Sequence, residues 1–548
     1  MYNQSVFSEC MPLGDVLIRS GERFPDHPAL VLPDETLSYR EMTAGAVRIG
    51  RLLVALGLTA GDKVGVLAPN SREFVEAAFG TALAGAVLVP LNPRLRSREL
   101  SYIIAHSEIS VVLTTDALAP RTDFRAELTA AFPGVATTDS LSLELPEAPH
   151  LRRIIMLKGD GGPGIVGASA VDELAQSVTE VDIEVRRQRV RLRDDAVIIY
   201  TSGTTASPKG CVLSHEAVTR GPIGRTAQAV PFPEPREMRV FWSPAPLFHI
   251  AALQGLIACV AMGSTYLTDV YLDGGRALTM VRKWRPTSLW PMFQSAFDTL
   301  MDAEGFREDD LEDATSLITV GSADEMRFVQ SRFPKALLVN GSGMSEMAGH
   351  FSLSAPADDI ELRATTSGVP VHGVEVKIVD PVTLDNAPVS ELGELYVKGY
   401  AMMTRYYRDP EQTAAAIDDE GWLRTGDLFR TLNSGHLRYE GRLKDMIKVG
   451  GENVPAIEVE SYLCTHPDVV LAQVVAKRDR RLDEVPVAFV ELREGATAGA
   501  DDIIAFCRGQ IASFKVPRQV YFLSAEEWPR SATKMNKRAL REVAATRL

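Results

Sequence analysis

The 548-residue chain contains no apolar run that approaches the ~18 residues of a membrane-crossing helix. No membrane span is therefore expected. The opening stretch, MYNQSVFSECMPLGDV, lacks a basic segment followed by an apolar core, so no secretory signal is visible. Cysteine is scarce. The five present (Cys10, Cys211, Cys259, Cys464, Cys507) have no metal-ligand spacing and read as buried or idle thiols in a reducing cytoplasm. A basic excess is also missing: 58 Lys and Arg face 72 Asp and Glu, a net charge of −14. That balance argues against a nucleic-acid backbone as the main partner, although a local basic groove for a phosphorylated small molecule remains compatible with it. No internal repeat is present.

What is there describes a globular protein, with a hydrophobic fraction of 45% and a charged fraction of 24%. The length exceeds one ordinary domain. Helix and strand signals alternate. REFVEAAFGTALAGAVLVPLN reads as a helix leading into a buried strand. SVVLTT, AVIIYTS and SLITVGS are short apolar runs that end in small polar residues, as strands of an α/β sheet do where ligands bind at their carboxyl ends. Residues 136–166, rich in Pro and Gly, read as a surface excursion. From about residue 441 the pattern changes to a basic, glycine-punctuated segment. A compact helix–strand–strand–helix series follows it. The expected organisation is α/β: a large multi-sheet domain over 1–441 and a small α+β domain over 442–548.

The segment YTSGTTASPKG (200–210) concentrates hydroxyls and glycines around one cation, Lys209. Consecutive backbone N–H groups in such a loop form an anion-binding nest, and a mobile ammonium adds charge. The order Pro-Lys-Gly differs from the Gly-Lys-Ser/Thr of a Walker A loop, which excludes the usual P-loop NTPase.

This loop resembles the phosphate-binding signature of the adenylate-forming superfamily, which comprises acyl-CoA synthetases, peptide-synthetase adenylation domains and luciferases. PLFHIAAL (246–253), GSGMSE (341–346), GELYVKGYAMMTRYYRDPEQT (393–413), GWLRTGDL (421–428), GRLKDMIKVGGENV (441–454), FKVPRQV (514–520) and PRSATKMNKRALRE (529–542) resemble its further motifs in their order. The resemblance covers nearly the whole chain and places it in the acyl-CoA ligase branch.

The resemblance implies a two-step reaction. A carboxylate attacks the α-phosphate of ATP to give an acyl-adenylate and pyrophosphate. The small domain then turns, and the thiol of coenzyme A displaces AMP. It also implies roles. Thr201, Ser202, Gly203, Thr204, Thr205 and Lys209 should bind phosphates, with Thr204 and Glu346 holding Mg²⁺. Ser342, Gly343, Met344 and Ser345 should lie beside the nucleotide, and Asp427 and Arg442 at the ribose. His249 should sit between acyl pocket and nucleotide, with Gly321 and Gly341 lining the acyl side. Lys444 falls at the hinge. Lys448, Gly450 and Gly451 fall where coenzyme A enters, the two glycines allowing close backbone approach.

Three departures follow. The family's closing motif reads Pro-x-x-x-x-Gly-Lys, and PRSATKMNKRALRE has no glycine: aligned from MNKRALRE, Lys534 is the catalytic lysine with its glycine deleted, and aligned from Pro529, Lys534 stands on the glycine and Met535 on the lysine. One residue of extended chain spans ~3.3–3.6 Å, and misplacing a reacting group by ~1 Å costs about a hundredfold. The expected activity remains the two-step ligase, since a loop can absorb a deletion; one reading is a ligase whose adenylation half-reaction is weak or absent. Ser342 replaces an aromatic residue usual beside adenine, which points the same way. Ser345 replaces the usual Thr but keeps the hydroxyl. The thiol-transfer segments are intact. One alternative is accordingly an enzyme that takes a preformed acyl-adenylate from a separate adenylating enzyme. Another is a non-catalytic acyl- or nucleotide-binding relative. Transfer to a carrier protein in place of coenzyme A also stays open. Phe248-His249 stands where peptide-synthetase domains place Phe-Asp, which disfavours an amino-acid substrate. Small residues around 321–322 and 341–343 suggest room for a bulky or cyclic apolar acid.

Overall fold

The computed structural model describes residues 10–119, 121–138, 143–201, 208–229, 239–321, 323–449, 452–531 and 534–546. The chain forms two compact units. The first comprises Met1–Glu375 and Lys398–Leu423; the second comprises Val376–Val397 and Arg424–Leu548.

In the first unit, long apolar runs become strands covered on both faces. Ile109–Thr115 is buried at all seven positions and Val87–Leu91 at all five. They belong to a seven-stranded sheet in the order Arg405–Tyr406, Lys209–Ser214, Asp195–Thr201, Val87–Leu91, Lys63–Leu67, Ile109–Thr115, Arg153–Lys158. A second seven-stranded sheet runs from Leu337–Val339 through Ser316–Val320 and Ser288–Phe293 to an antiparallel edge pair, Pro28–Leu32 and Glu35–Ser38.

The stretch expected to be a surface excursion is not one. Arg153–Lys158 closes the first sheet by pairing in parallel with Ile109–Thr115. Leu143, Leu145, Leu151 and Ile165 join the same core. The prolines and glycines mark the turns on either side of a buried edge strand.

Six elements position the site in the first unit. Strand β1 (Asp195–Thr201) and strand β2 (Lys209–Ser214) pair antiparallel, while on its other side β1 pairs in parallel with Val87–Leu91. Helix α1 (His215–Ala229) follows directly. Helix α2 (Ile250–Ala261) is buried along almost its whole length. Strands β3 (Gly341–Met344) and β4 (Gly349–Leu353) form a hairpin.

The second unit holds a four-stranded sheet (Val374–Val379, Gly393–Gly399, Leu423–Thr431, Leu437–Arg442) and a five-stranded sheet built after it. The five-stranded sheet includes the long antiparallel pair Val469–Asp479 and Asp483–Leu492, flanked by helices Ala456–Leu463 and Ala500–Cys507. Among the described residues, two apolar cores of this part have their members between Ile447 and Ala544. Helix α3 (Lys537–Thr546) ends the described chain. Among the described residues no helix is long and apolar enough to cross a membrane.

Candidate nucleotide and acyl site

The phosphate-type loop joins β1 to β2. Ser202, Gly203, Thr204 and Thr205 lie outside the described residues, as do Gly450 and Gly451. The stems are described: Thr201 pairs with Lys209 across the hairpin. Lys209 Nζ donates to Gln412 Oε1 at 2.6 Å and lies 5.1 Å from the centre of the Tyr406 ring. Tyr406 reaches this place because Arg405–Tyr406 pairs antiparallel with β2, Tyr406 opposite Cys211. Its hydroxyl donates to Glu346 Oε1 at 2.9 Å. Burial, then the Glu346 charge, push the Tyr406 phenol well above its ordinary range, so it remains a donor. Met403 N donates to the Glu346 carbonyl at 2.7 Å, which fixes the carboxylate's backbone. Lys209 and Glu346 are thus brought to the two sides of one tyrosine. Cys211 is buried, and burial followed by Glu346 raises its thiol. It reads as idle, and the described cysteines are all free.

His249 is the N-cap residue of α2, exposed, with its ring 4.2 Å from that of Phe248 between centres. It is not a core histidine. Gly321 ends the strand Ser316–Val320 and is exposed. Gly341 and Gly343 do not open acyl space. A Cβ on Gly341 would stand 2.4 Å from the Ser352 carbonyl oxygen, and one on Gly343 2.7 Å from that of Gly349. The missing side chains let β3 lie against β4, which corrects the expectation of a roomy pocket there. Ser342 Oγ donates to Ser367 Oγ at 2.7 Å, so its hydroxyl is engaged. Met344 and Ser345 are half-buried between it and Glu346.

Three functional candidates lie outside the sequence expectation. Arg225 on α1 is 3% exposed and donates to Gln254 Oε1 (3.0 Å), to Ala348 O (2.8 Å) and to Met347 O (2.9 Å). Gln254 Nε2 lies 3.0 Å from His350 Nδ1. Burial, then Arg225, lower the His350 imidazole to about 3. Burial lowers Arg225 to about 10, so it stays charged at neutral pH. The sequence offered only a weak signal for this cluster, polar residues inside apolar helical and strand patterns.

In the second unit, Asp427 and Arg442 face each other in register, with Arg442 Nε 2.8 Å from Asp427 Oδ1. Lys444 sits in a short 3₁₀ turn, Leu443–Asp445, and burial lowers its ammonium. Lys448 is exposed, and its backbone N–H donates to Glu484 Oε2 at 2.9 Å. Lys534 opens the second arm of a two-stranded ribbon, paired with Ser531. Three residues later Lys537 Nζ donates to Glu460 Oε1 at 2.6 Å, and Arg541 is bonded to Asp445 Oδ1. The C-terminal helix is thereby tied to the segment just after Lys444.

A phosphate-type loop on a sheet hairpin, a lysine and a carboxylate beside it, and an aspartate–arginine pair on a second α+β unit define an adenylate-forming enzyme. The chain belongs to the AMP-binding enzyme family, whose profile matches residues 17–407, with the AMP-binding enzyme C-terminal domain matching 458–534. It is an acid–thiol ligase of the acyl-CoA branch. A 3-[(3aS,4S,7aS)-7a-methyl-1,5-dioxo-octahydro-1H-inden-4-yl]propanoyl:CoA ligase of Mycobacterium tuberculosis is 30% identical over 96% of this chain and 97% of its own. The medium-chain acyl-CoA ligase ACSF2 of Danio rerio is 29% identical over 95% of this chain and 86% of its own. ATP-bound MatB from Rhodopseudomonas palustris superposes with a TM-score of 0.82 at 25% identity, covering 98% of this chain and 99% of its own.

Proposed function

We propose that this chain carries out both half-reactions, joining a free carboxylic acid to coenzyme A through an acyl-adenylate. The observation that carries the reading is the Lys209–Tyr406–Glu346 arrangement at the stem of the phosphate-type loop. Adenylation brings two anions together and needs positive charge held at fixed positions. Lys209, steadied by Gln412, supplies one such charge at the loop. The donor set fits Mg²⁺ in kind: Glu346 is a half-buried carboxylate with one oxygen oriented by Tyr406. Glu346, with Thr204, would hold the ion, which supplies further charge neutralisation on the triphosphate. Asp427, oriented by Arg442, would accept from the ribose hydroxyls. His249, at the exposed start of α2, would divide acyl group from nucleotide. Lys534 would bring its ammonium to the reacting carboxylate in the first step. A turn about Lys444 would then replace Lys534 by the Lys448–Gly451 segment for thiol attack. The acid is proposed to be ring-bearing or of medium length, in keeping with the named relatives.

One observation favours a second reading. The glycine before Lys534 is missing, and the lysine begins a ribbon arm paired to Ser531, so its approach is set by that pairing. On this reading only thioester formation survives, although nothing among the relatives points to a separate adenylating enzyme. The deciding assay measures acyl-CoA by mass spectrometry in two arms: carboxylic acids with ATP, Mg²⁺ and coenzyme A, and matching synthetic adenylates with coenzyme A. Product in both arms supports the full ligase. Product from adenylates alone overturns it in favour of the second reading, and a glycine inserted before Lys534 should then restore the first arm.

A further inference from the structure

Arg225 presents an unusual situation for a buried cation. Its guanidinium lies against Gly221 one turn back on its own helix, where an added Cβ would stand 2.9 Å from Nη2. Its bonds go to three neutral acceptors, the Gln254 amide and the carbonyls of Met347 and Ala348. No carboxylate among the described residues pairs with it, and Nε has no hydrogen-bond partner there. Taking a cation out of water without an anionic partner costs several kcal/mol in real proteins. Bracing two carbonyls needs only a neutral donor such as an amide, so that task alone gives no reason for the charge.

The position of the cluster suggests what the charge is for. Two elements leave the reacting end of the site and meet again at Arg225. Helix α2 starts after His249 and carries Gln254 five residues on, roughly 7.5 Å along its axis at ~1.5 Å per residue. Strand β4 starts three residues after Glu346 and carries His350. Gln254 and His350 are hydrogen-bonded to each other. Trp290 lies beside them, its ring centre 6.2 Å from that of His350. Gly255 faces that buried indole, and a Cβ there would meet the ring at 3.5 Å, an ordinary contact distance. The result is a buried cluster that places an indole beside a charged donor, a neutral imidazole and an amide.

We infer that Arg225, with Gln254 and His350, forms the far end of the acyl site and selects acids that carry an acceptor oxygen, a ketone or a second carboxylate, remote from the reacting carboxyl group. This rests on the ligase reading above and deepens it. It also revises the expectation of a purely apolar acid. The unpartnered Nε–H fits one acceptor oxygen, and the net charge of the cluster fits an anion. Hydrogen bonds to a charged donor are worth enough to discriminate by about 10- to 100-fold. A site with an unmet buried donor rejects the analogue that lacks the oxygen.

The test uses full-length enzyme and three acids of matched length and ring content, ending in a methyl group, a ketone or a carboxylate. Each is supplied as free acid and as synthetic adenylate, with coenzyme A formation as readout. Wild type should favour at least one oxygen-bearing acid over the methyl acid by about 10- to 100-fold in kcat/KM. Arg225→Met should erase or reverse that ratio, whatever it does to the absolute rates. Preference for the ketone alone assigns hydrogen bonding as the selecting force; preference for the carboxylate alone assigns charge. Equal use of all three acids by wild type overturns the inference and leaves the ligase reading standing. A uniform loss in folded Arg225→Met, with the ratio unchanged, also overturns it and makes Arg225 a brace for the Glu346 loop. Failure of every acid and every adenylate would sink the ligase reading itself. If Arg225→Met does not fold, the wild-type ratio decides alone.

Discussion

Single side chains set the chemistry here, and three of them can be weighed one at a time. Glu346→Gln should lower adenylation, followed as pyrophosphate release, by about a hundredfold, yet leave thioester formation from a supplied adenylate within a few fold. Tyr406→Phe removes only the donor that orients Glu346. It should cost about 10- to 100-fold in the same half-reaction, with little change in melting temperature. Two buried histidines contribute to acid sensitivity. His215 accepts from the Leu13 N–H, and burial lowers its imidazole to about 4 against the opposing effect of Asp194 and Asp195; His350 is lowered to about 3. Both stay neutral in the fold while the unfolded chain protonates them below about 6.5. Their contribution is therefore complete above about pH 6.5 and is lost as pH falls toward 4 and then 3. Each contributes a slope of up to about 1.4 kcal/mol per pH unit. Thermal unfolding of His215→Gln between pH 7 and pH 5 should show a flatter decline than wild type.

At the scale of elements, the ion pair between α3 and the helix Ala456–Leu463 invites a direct test. Glu460 accepts both from Lys537 Nζ at 2.6 Å and from Val474 N at 2.7 Å, and both partners of the ion pair are largely buried. Glu460→Ala strands a buried ammonium and a strand N–H. It should destabilise the second unit by about 3 kcal/mol, visible as a lowered or split calorimetric transition. How far the elements could be read from the sequence varied with how local their cause is. The runs SVVLTT and AVIIYTS declared themselves as buried strands because both faces are covered, and the C-terminal helix–strand–strand–helix series followed its own periodicity. RIIMLK did not, because Pro and Gly on both sides read as loop while the feature that makes it a strand is a distant edge, Ile109–Thr115. The same limit applies to the site. Lys209, Glu346 and Asp427 entered the candidate site through local motifs. Tyr406, Gln412 and the Arg225 cluster depend on pairings between segments more than a hundred residues apart.

For the molecule as a whole, the described residues after the turn at Lys444 form two apolar cores whose members lie between Ile447 and Ala544. A fragment covering 443–548 should fold alone, giving a cooperative thermal transition and dispersed amide resonances. A random-coil spectrum would show that it borrows stability from elsewhere in the chain. The way the chain is threaded bears on which part can turn. The backbone passes between the two compact units at 375–376, at 397–398 and at 423–424. Three covalent joints act as a bracket: a large rotation there would have to twist three strands of backbone together. Past Lys444 there is one joint, and one joint is a pivot. If the proposed turn occurs at Lys444, the expectation is that the part bearing Lys534 swings as an arm while the four-stranded sheet, the frame with Asp427 on it, does not swing with it. A graft between relatives cut anywhere from 376 to 441 would break the frame, whereas one cut just after Lys444 would exchange the arm and leave the frame whole.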